Sequence, residues 1–352
     1  MSQAMPGHLL PQASARSHRS ALVAAVQATP AFLDLAAGLA RLTQWTERAV
    51  RAGAELVLFP EAFLPGYPFG WRLGADAALA AAWRAEGLPE LARHAVAVPS
   101  PVTERLGDLA RTHGIHLAVG VIERIGDGPR PRLTRSLLIF DPRGTLIGRQ
   151  HHAPGTPYEG LLLEPEAPAG PAAEGPALPL ARVYLPFHGM ELYLAPTHEQ
   201  GRHWQDTIRH IANVGNCFVV SSSPYLTGAA LPPAWRRLAR AWELPAPHHR
   251  GGSAIVSPYG GYLAGPLYDR EGLLLARLHP LAVLASPWRF DPARINAEVV
   301  RRAAGDPTPG VPAADWPVAW RTSEAGAPRL AQERRVIAAM LDALLREERA
   351  RA

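Results

Sequence analysis

The chain contains no lysine, so its 36 strongly basic residues are all arginines. It contains a single cysteine, Cys217, which excludes an internal disulfide and a cysteine-based metal cluster and predicts a reducing, cytoplasmic setting. No run of apolar residues reaches the ~18 needed to span a bilayer, so we expect no membrane segment. The first twenty residues lack acidic side chains and an apolar run. We expect a disordered leader over residues 1–20 rather than a secretory signal or a transit peptide.

The balance of apolar and charged residues favours a substantial buried core. Hydrophobic residues make up 47% and charged residues 19% of the 352 residues, which suits one large α/β domain or two average domains. The net charge of +5 comes from arginines scattered along the chain, a pattern typical of a solvated surface. We therefore expect no nucleic-acid partner.

One carboxylate stands at the end of a strongly predicted strand. The apolar stretch from Leu56 to Phe59 runs into Pro60 and then presents Glu61. The turn that follows is stiffened by prolines and a glycine over residues 65–68. Because ligand crevices in α/β sheets form at the carboxyl ends of strands, we expect Glu61 to line a pocket.

The first half of the chain has the periodicity of a β-α-β unit followed by a helix, a strand and a hairpin. Residues 69–98 hold no clear strand, although residues 77–91 suggest a helix. The predicted elements are a strand over 21–27, a helix over 35–51, a strand over 56–59, a helix opened by Ser100 and Pro101 and ended by Gly114, a strand over 115–123, and hairpin strands over 133–140 and 145–149.

The second half has a similar order after a break. Residues 161–181 are dense in proline, alanine and glycine without any periodicity, which predicts a loop or linker. The elements predicted after it are a strand over 191–195, a helix over 201–214 ended by Gly215, a strand over 217–221, hairpin strands over 253–257 and 262–264, a strand over 273–278, and a C-terminal helix over 330–349.

Three stretches carry a family likeness: FPEAFLPGYP at residues 59–68, LYLAPTHEQGRHWQDTIRHIANVGNCFVVSSS at 192–223 and GGSAIVSPYGGYLAGP at 251–266. They resemble the carbon–nitrogen hydrolases, most closely the nitrilase branch. The resemblance implies an α/β fold, an αββα sandwich of mixed sheets with helices on the outer faces. It implies a single domain over 21–300, followed by a tail over 301–352. It also implies helix-to-helix packing of subunits, so we expect a homo-oligomer or co-assembly with an active homologue.

The chemistry of the resembled family needs a cysteine nucleophile, a glutamate general base and a lysine that stabilises developing charge. Glu61 matches the glutamate, and Glu159 matches a second acidic residue that nitrilases place near the site. The lysine position is occupied by His152. Counting back from the segment 178–197 places the missing cysteine at about Ala173, within a stretch that is shorter than the family's pattern.

Other residues offer only partial replacements. His152 could serve as a weaker, protonated donor, or it could have no catalytic duty. Cys217 opens a predicted buried strand and is expected to be a packed, structural thiol. His248 and His249 are expected in a loop without function, and neither histidine pair has the spacing of a metal site. We expect no metal and no cofactor.

These observations leave three functional hypotheses. The first is a nitrilase-family homologue that nominally acts on nitrile or amide C–N bonds but is catalytically impaired, because the nucleophile and the lysine are absent. The second is a divergent hydrolase or hydratase that uses Glu61, His152 and Glu159. The third is a module or regulatory subunit that binds a small nitrile or amide.

Overall fold

The described residues form two mixed β-sheets with helices packed on them. The structure is a computed structural model that describes residues 19–67, 77–126, 131–152, 183–187, 190–241 and 249–284. The strands are β1 (Ala21–Gln27), β2 (Leu56–Leu58), β3 (Val96–Ala97), β4 (His116–Ile125), β5 (Arg132–Phe140), β6 (Leu146–His152), β7 (Val183–Phe187), β8 (Met190–Pro196), β9 (Phe218–Ser222), β10 (Tyr225–Leu226), β11 (His249–Val256), β12 (Tyr262–Tyr268) and β13 (Gly272–Leu278). The helices are α1 (Leu35–Arg51), α2 (Ala77–Ala82), α3 (Leu88–His94), α4 (Pro101–His113), α5 (Arg202–Gly215), α6 (Pro233–Ala241) and α7 (Pro280–Leu284), with a π-helical turn over Trp83–Gly87.

The first sheet has seven strands. Its order is β13-β1-β2-β4-β5-β6, and β3 also pairs with β4. Strands β1, β2 and β4 are parallel, as the predicted β-α-β unit requires, whereas β13, β5 and β6 run antiparallel to their neighbours. The sheet therefore joins an early strand to a late one, because β13 pairs with β1 over seven residues.

The second sheet has six strands. Its order is β10-β11-β9-β8-β7, and β12 also pairs with β11. Only the β8–β9 pair is parallel, and helix α5 connects these two strands. Strand β7 was not predicted, because Pro186 interrupts its apolar pattern. Its position at the sheet edge explains why a proline is tolerated there.

Four apolar clusters hold the described sheets and helices together, and one of them joins helices α2, α3 and α6 to the turn that contains Ala62. The layer between the two sheets joins Val23 and Leu58 of the first sheet to Leu194, Val220 and Ile255 of the second. Each fully buried side chain of this kind contributes about 1.5–3 kcal/mol to folding. The outer layers lie under helices α1 and α4 on the first sheet and under α5 on the second. This arrangement confirms the predicted mixed sheets with helices outside.

Local signals explain where the helices begin and end. Ser100 caps α4 and forms a capping box with Thr103, and Gly114 ends the helix in a left-handed conformation, as predicted. Helix α5 differs slightly from the prediction. It includes Gly215, and Asn216 takes the left-handed C-cap position with φ of 47°.

The structure corrects three further expectations. Residues 69–98 contain the short strand β3, which the apolar pattern was too brief to reveal. Helix α6 was not predicted. His249 opens strand β11, whereas a loop was expected at this position. Residues 1–18 of the leader predicted over 1–20, the linker over 161–181 and the helix over 330–349 lie outside the described residues. No helix in the described part is long and apolar enough to cross a membrane.

Candidate active site

Glu61 lies in a turn where the chain leaves strand β2 before it pairs with β4 again. The Ile122 N–H donates to the carbonyl of Leu64 at 2.7 Å, which re-establishes the pairing just beyond the turn. Within the turn, Ala62 has a left-handed backbone with φ of 50°. This conformation costs a non-glycine residue about 1–3 kcal/mol. The surrounding packing therefore holds the backbone next to Glu61 in a strained conformation.

Strand β4 accommodates this turn through Gly120. A Cβ atom at that position would lie 2.3 Å from the carbonyl oxygen of Pro60 and 2.6 Å from Cα of Glu61. Both of these are backbone atoms, so neither can rotate away from a side chain. Only glycine allows the Glu61 backbone to approach the sheet this closely.

The Glu61 carboxylate forms a buried ion pair with Arg135 from the middle of strand β5. Arg135 Nη1 lies 3.0 Å from Glu61 Oε1, and the two side chains are only 1% and 6% exposed. The Arg135 guanidinium also lies over the ring of Tyr67, 6.0 Å from its centroid. Because an isolated buried charge is very unfavourable, each of these two groups stabilises the other in its ionised form.

His198 supplies the second partner of Glu61. Its Nδ1 lies 2.5 Å from Glu61 Oε2, and its side chain is 23% exposed. His198 follows the carboxyl end of strand β8 in the second sheet, so the site combines residues of both sheets. Since a carboxylate only accepts hydrogen bonds, Nδ1 of His198 carries the hydrogen. The carboxylate thereby fixes the orientation and the tautomer of this imidazole.

His249 holds the backbone of His198 in place. Its Nε2 contacts the carbonyl oxygen of His198, while its Nδ1 accepts a hydrogen bond from the Gly251 N–H at 3.2 Å. These contacts assign the hydrogen of the neutral ring to Nε2, which donates to the carbonyl. Burial lowers the pKa of His249, which agrees with a neutral ring at pH 7.

The predicted site residues fall in different places. Glu61 is buried in the site just described. Position 152, at the end of β6, is directly opposite Arg135 in the β5–β6 ladder, so the backbone of His152 lies beside the site. Glu159 and Ala173 lie outside the described residues. Cys217 is fully buried at the start of β9, in the apolar layer between the second sheet and α5, as expected of a structural thiol.

Arg135 and His198 were not identified from the sequence, although both left a signal. Arg135 is the one charged residue in the predicted strand LTRSLLIF, where burial requires a partner of opposite charge. His198 follows the end of a predicted strand, the same position that drew attention to Glu61. Neither signal identifies the partner, because Glu61 is 137 residues away from His198 in the chain.

The described residues of this arrangement provide hydrogen-bonding and charged groups rather than a nucleophile. Among the described residues, no group of three or more histidine, cysteine or acidic side chains could hold a metal ion. A carboxylate, a guanidinium and an oriented imidazole can bind a polar ligand. An imidazole hydrogen-bonded to a carboxylate can also act as a base toward water.

Comparison with known proteins identifies relatives of this chain. The carbon-nitrogen hydrolase family model matches residues 22–283. Nitrilase 2 of Arabidopsis thaliana is 33% identical over 286 residues, which cover 76% of this chain and 82% of the relative. A bifunctional nitrilase/nitrile hydratase of Oryza sativa subsp. japonica is 32% identical over 287 residues, which cover 76% and 78% of the two chains.

A similar fold is found among solved structures. A double mutant of the amidase from Nesterenkonia sp. AN1, in complex with acrylamide, matches with a TM-score of 0.52 and 18% identity. The match covers 83% of this chain and 99% of the amidase. The predicted sandwich of the resembled family is thus confirmed at the level of the fold.

Proposed function

This chain belongs to the nitrilase branch of the carbon–nitrogen hydrolase family, and we propose that it retains a small-molecule pocket at Glu61 without thiol-dependent hydrolysis. In this proposal the pocket binds a small nitrile or amide, and the protein is a catalytically impaired member of its family. The proposal rests on the state of Glu61, whose two carboxylate oxygens contact Arg135 and His198.

The described partners of the Glu61 carboxylate, Arg135 and His198, do not include a nucleophile. A general base must have a carboxylate oxygen within hydrogen-bond reach of the nucleophile that it deprotonates. Here Oε1 faces a guanidinium and Oε2 faces an imidazole, and the chain contains no lysine to stabilise developing charge. The single cysteine is Cys217, which is 0% exposed. These features favour binding over covalent catalysis.

Cys217 is further separated from this chemistry by its packing. It lies with Trp204, Ile208 and Val219 in the apolar layer under α5. The reactive form of a cysteine is the thiolate, and burial in apolar surroundings disfavours a charged sulfur. A thiol in this position supports the fold.

Ammonia release tests the loss of hydrolysis. The purified protein is incubated with a panel of nitriles and amides, with Nitrilase 2 of Arabidopsis thaliana as the positive control. We expect no ammonia above the rate without protein. Ammonia release that disappears in Glu61→Gln would overturn the proposal.

Binding and thiol reactivity are measured on the same sample. We expect a member of the panel to raise the melting temperature of the wild type and not that of Glu61→Gln. Iodoacetamide is expected to add no mass to the native protein and one carbamidomethyl group after denaturation, at Cys217. A panel without any thermal shift would contradict the retained pocket, and rapid labelling of the native protein would contradict the buried thiol.

A second candidate function is favoured by the hydrogen bond between His198 and Glu61. The imidazole could accept a proton from water while the water oxygen bonds to a nitrile carbon. The proton then passes to the nitrile nitrogen, which gives an imidic acid. Movement of the remaining O–H proton to nitrogen converts the imidic acid into an amide, so all atoms of water and nitrile are retained. The test is amide formation from a nitrile, measured by chromatography without release of ammonia. Formation that is lost in His198→Gln and retained in His152→Gln would favour this candidate over a site that uses His152.

The assembly of the protein also belongs to the proposal. We propose a single domain over residues 21–300, a cytoplasmic setting, and a homo-oligomer or co-assembly with an active homologue. Light scattering of the full chain, alone and mixed with such a homologue, is expected to give a mass above that of one chain. A monomer under both conditions would contradict it.

A further inference from the structure

Helix α6 presents three arginines on one exposed face. Arg236, Arg237 and Arg240 are exposed, whereas Trp235 and Leu238 on the opposite side are 0% and 6% exposed. The spacing i, i+1, i+4 keeps the three arginines within one face of a helix with 3.6 residues per turn. The helix is amphipathic, and its basic side faces away from the protein core.

The apolar side fixes this helix firmly. Trp235 packs edge-on against Phe32, with 5.7 Å between ring centroids, and lies 5.5 Å from Trp83 of the π-helical turn. A well-packed aromatic pair contributes about 0.5–1.5 kcal/mol beyond the burial of its area. The three arginines therefore extend from a backbone that is held in place.

Within the described part of the chain, none of these three arginines forms an ion pair. Other arginines do so, for example Arg135 with Glu61 and Arg250 with Asp269. Helix α6, PAWRRLARA, contains no acidic residue. Three positive charges are thus concentrated on two turns of helix without neutralisation by a described carboxylate.

The helix dipole does not account for all three positions. A basic residue in the last turn of a helix is stabilised by the partial negative charge there, which explains Arg240. This effect falls off within the last turn, and Arg236 lies in the first half of the nine-residue helix. The repulsion between Arg236 and Arg240 at i, i+4 costs about 0.2–0.5 kcal/mol, and a bound anion would offset it.

The three side chains line a concavity. Together with Pro233 they border an open cavity of about 290 Å³. This volume is close to the lower end of small-molecule sites. Guanidinium groups match the oxygens of phosphate in pairs, and three of them suit an anion of high charge density.

We propose that this arginine face, formed by Pro233, Arg236, Arg237 and Arg240, binds the phosphate groups of a small phosphorylated molecule. Nothing in the site at Glu61 requires this binding, so the proposal is independent of the function proposed above. The charge density distinguishes the ligand from the neutral nitriles and amides considered for the Glu61 pocket.

Calorimetric titration of the full chain tests this site. The probes are inorganic pyrophosphate, adenosine diphosphate and a tri-glutamate peptide, all at the same total ionic strength. We expect pyrophosphate to bind with a Kd below about 1 mM. Tighter binding of adenosine diphosphate would identify an organic phosphate as the source, whereas equal or weaker binding would identify free pyrophosphate.

Charge-matched variants locate the binding. In one variant Arg236, Arg237 and Arg240 are all replaced by glutamine. In the control, three exposed arginines on other elements are replaced by glutamine, namely Arg105, Arg202 and Arg277. Both variants lose three positive charges. We expect the first to weaken pyrophosphate binding at least 100-fold and the control to change it less than about threefold, because guanidinium–phosphate contacts are local.

Three outcomes would overturn the proposal. One is the absence of pyrophosphate binding to the wild type. Another is an equal loss in both variants, which would indicate only the net charge of the protein. The third is binding of the tri-glutamate peptide without binding of either phosphate probe, which would indicate an acidic protein partner. Circular dichroism of both variants checks that the fold is retained.

Discussion

Replacing Arg135 by methionine is expected to destabilise the protein severely, because it leaves the Glu61 carboxylate without its buried counter-ion. Methionine replaces the aliphatic part of the arginine side chain and keeps the apolar part of the packing, but it carries no charge. The two charged side chains are 1% and 6% exposed and lie 3.0 Å apart. Water therefore cannot replace the guanidinium without rearrangement of the site.

The magnitude follows from this burial. Removal of one partner of a buried ion pair typically costs about 3–5 kcal/mol. His198 remains in contact with the other oxygen of Glu61, so we expect the lower part of this range, about 3 kcal/mol. Replacement of both partners, Arg135→Met with Glu61→Leu, leaves no buried charge and is expected to cost much less than the sum of the two single replacements.

The measurement is a double-mutant cycle by urea unfolding. The fluorescence of the nine tryptophans and the far-ultraviolet circular dichroism give independent unfolding curves for the wild type, both single variants and the double variant. We expect a coupling free energy of about 2 kcal/mol between positions 61 and 135.

An exposed ion pair provides the matched control. Arg250 and Asp269 also form an ion pair, but their side chains are 54% and 53% exposed. The corresponding cycle, Arg250→Met with Asp269→Asn, is expected to give a coupling below about 1 kcal/mol. Asparagine suits position 269, where φ is 59°. A coupling at positions 61 and 135 no larger than this control would refute the reasoning.

Two further predictions concern the residues that position the site. Gly120→Ala is expected to destabilise the protein by more than about 2 kcal/mol and to abolish ligand binding, because its Cβ would lie 2.3 Å from the Pro60 carbonyl oxygen. The control is Gly261→Ala, whose Cβ would meet only Ser257 Oγ, at 3.5 Å. We expect this control to change the free energy of unfolding by less than about 1 kcal/mol in the same urea assay. The second prediction concerns pH. Burial lowers the pKa of His249, so the unfolded chain binds more protons than the folded chain once the pH falls below about 6.5. The free energy of unfolding is therefore expected to fall more steeply between pH 7 and pH 5 in the wild type than in His249→Gln, and equal slopes would contradict a neutral, buried His249.

Local sequence signals determined most of the elements of the fold. Helix α1 has the predicted bounds because its apolar residues recur at helical spacing and Asp34 caps its first turn. Strands β1, β4 and β13 can also be recognised locally, because each appears in the sequence as a short apolar run. These signals act over a few residues, so they can be read from the chain without knowledge of its partners.

The candidate site depends on contacts that no local signal contains. The position of Glu61 at the end of a buried strand could be predicted, and so could the burial of Cys217. The pairing of Glu61 with Arg135 and His198 could not, because it requires both sheets to pack and the backbone to pass over Gly120. His249 illustrates the same limit, since its ring orientation depends on the His198 carbonyl, 51 residues away in the chain.

Local patterns in the chain were therefore enough to predict the family and most of the elements, and its composition already excluded the lysine that the resembled chemistry uses. The tertiary structure decided what surrounds the remaining carboxylate. The physical reason is that periodicity and capping are local, whereas burial of a charge is decided by groups that only the packed chain brings within hydrogen-bond distance.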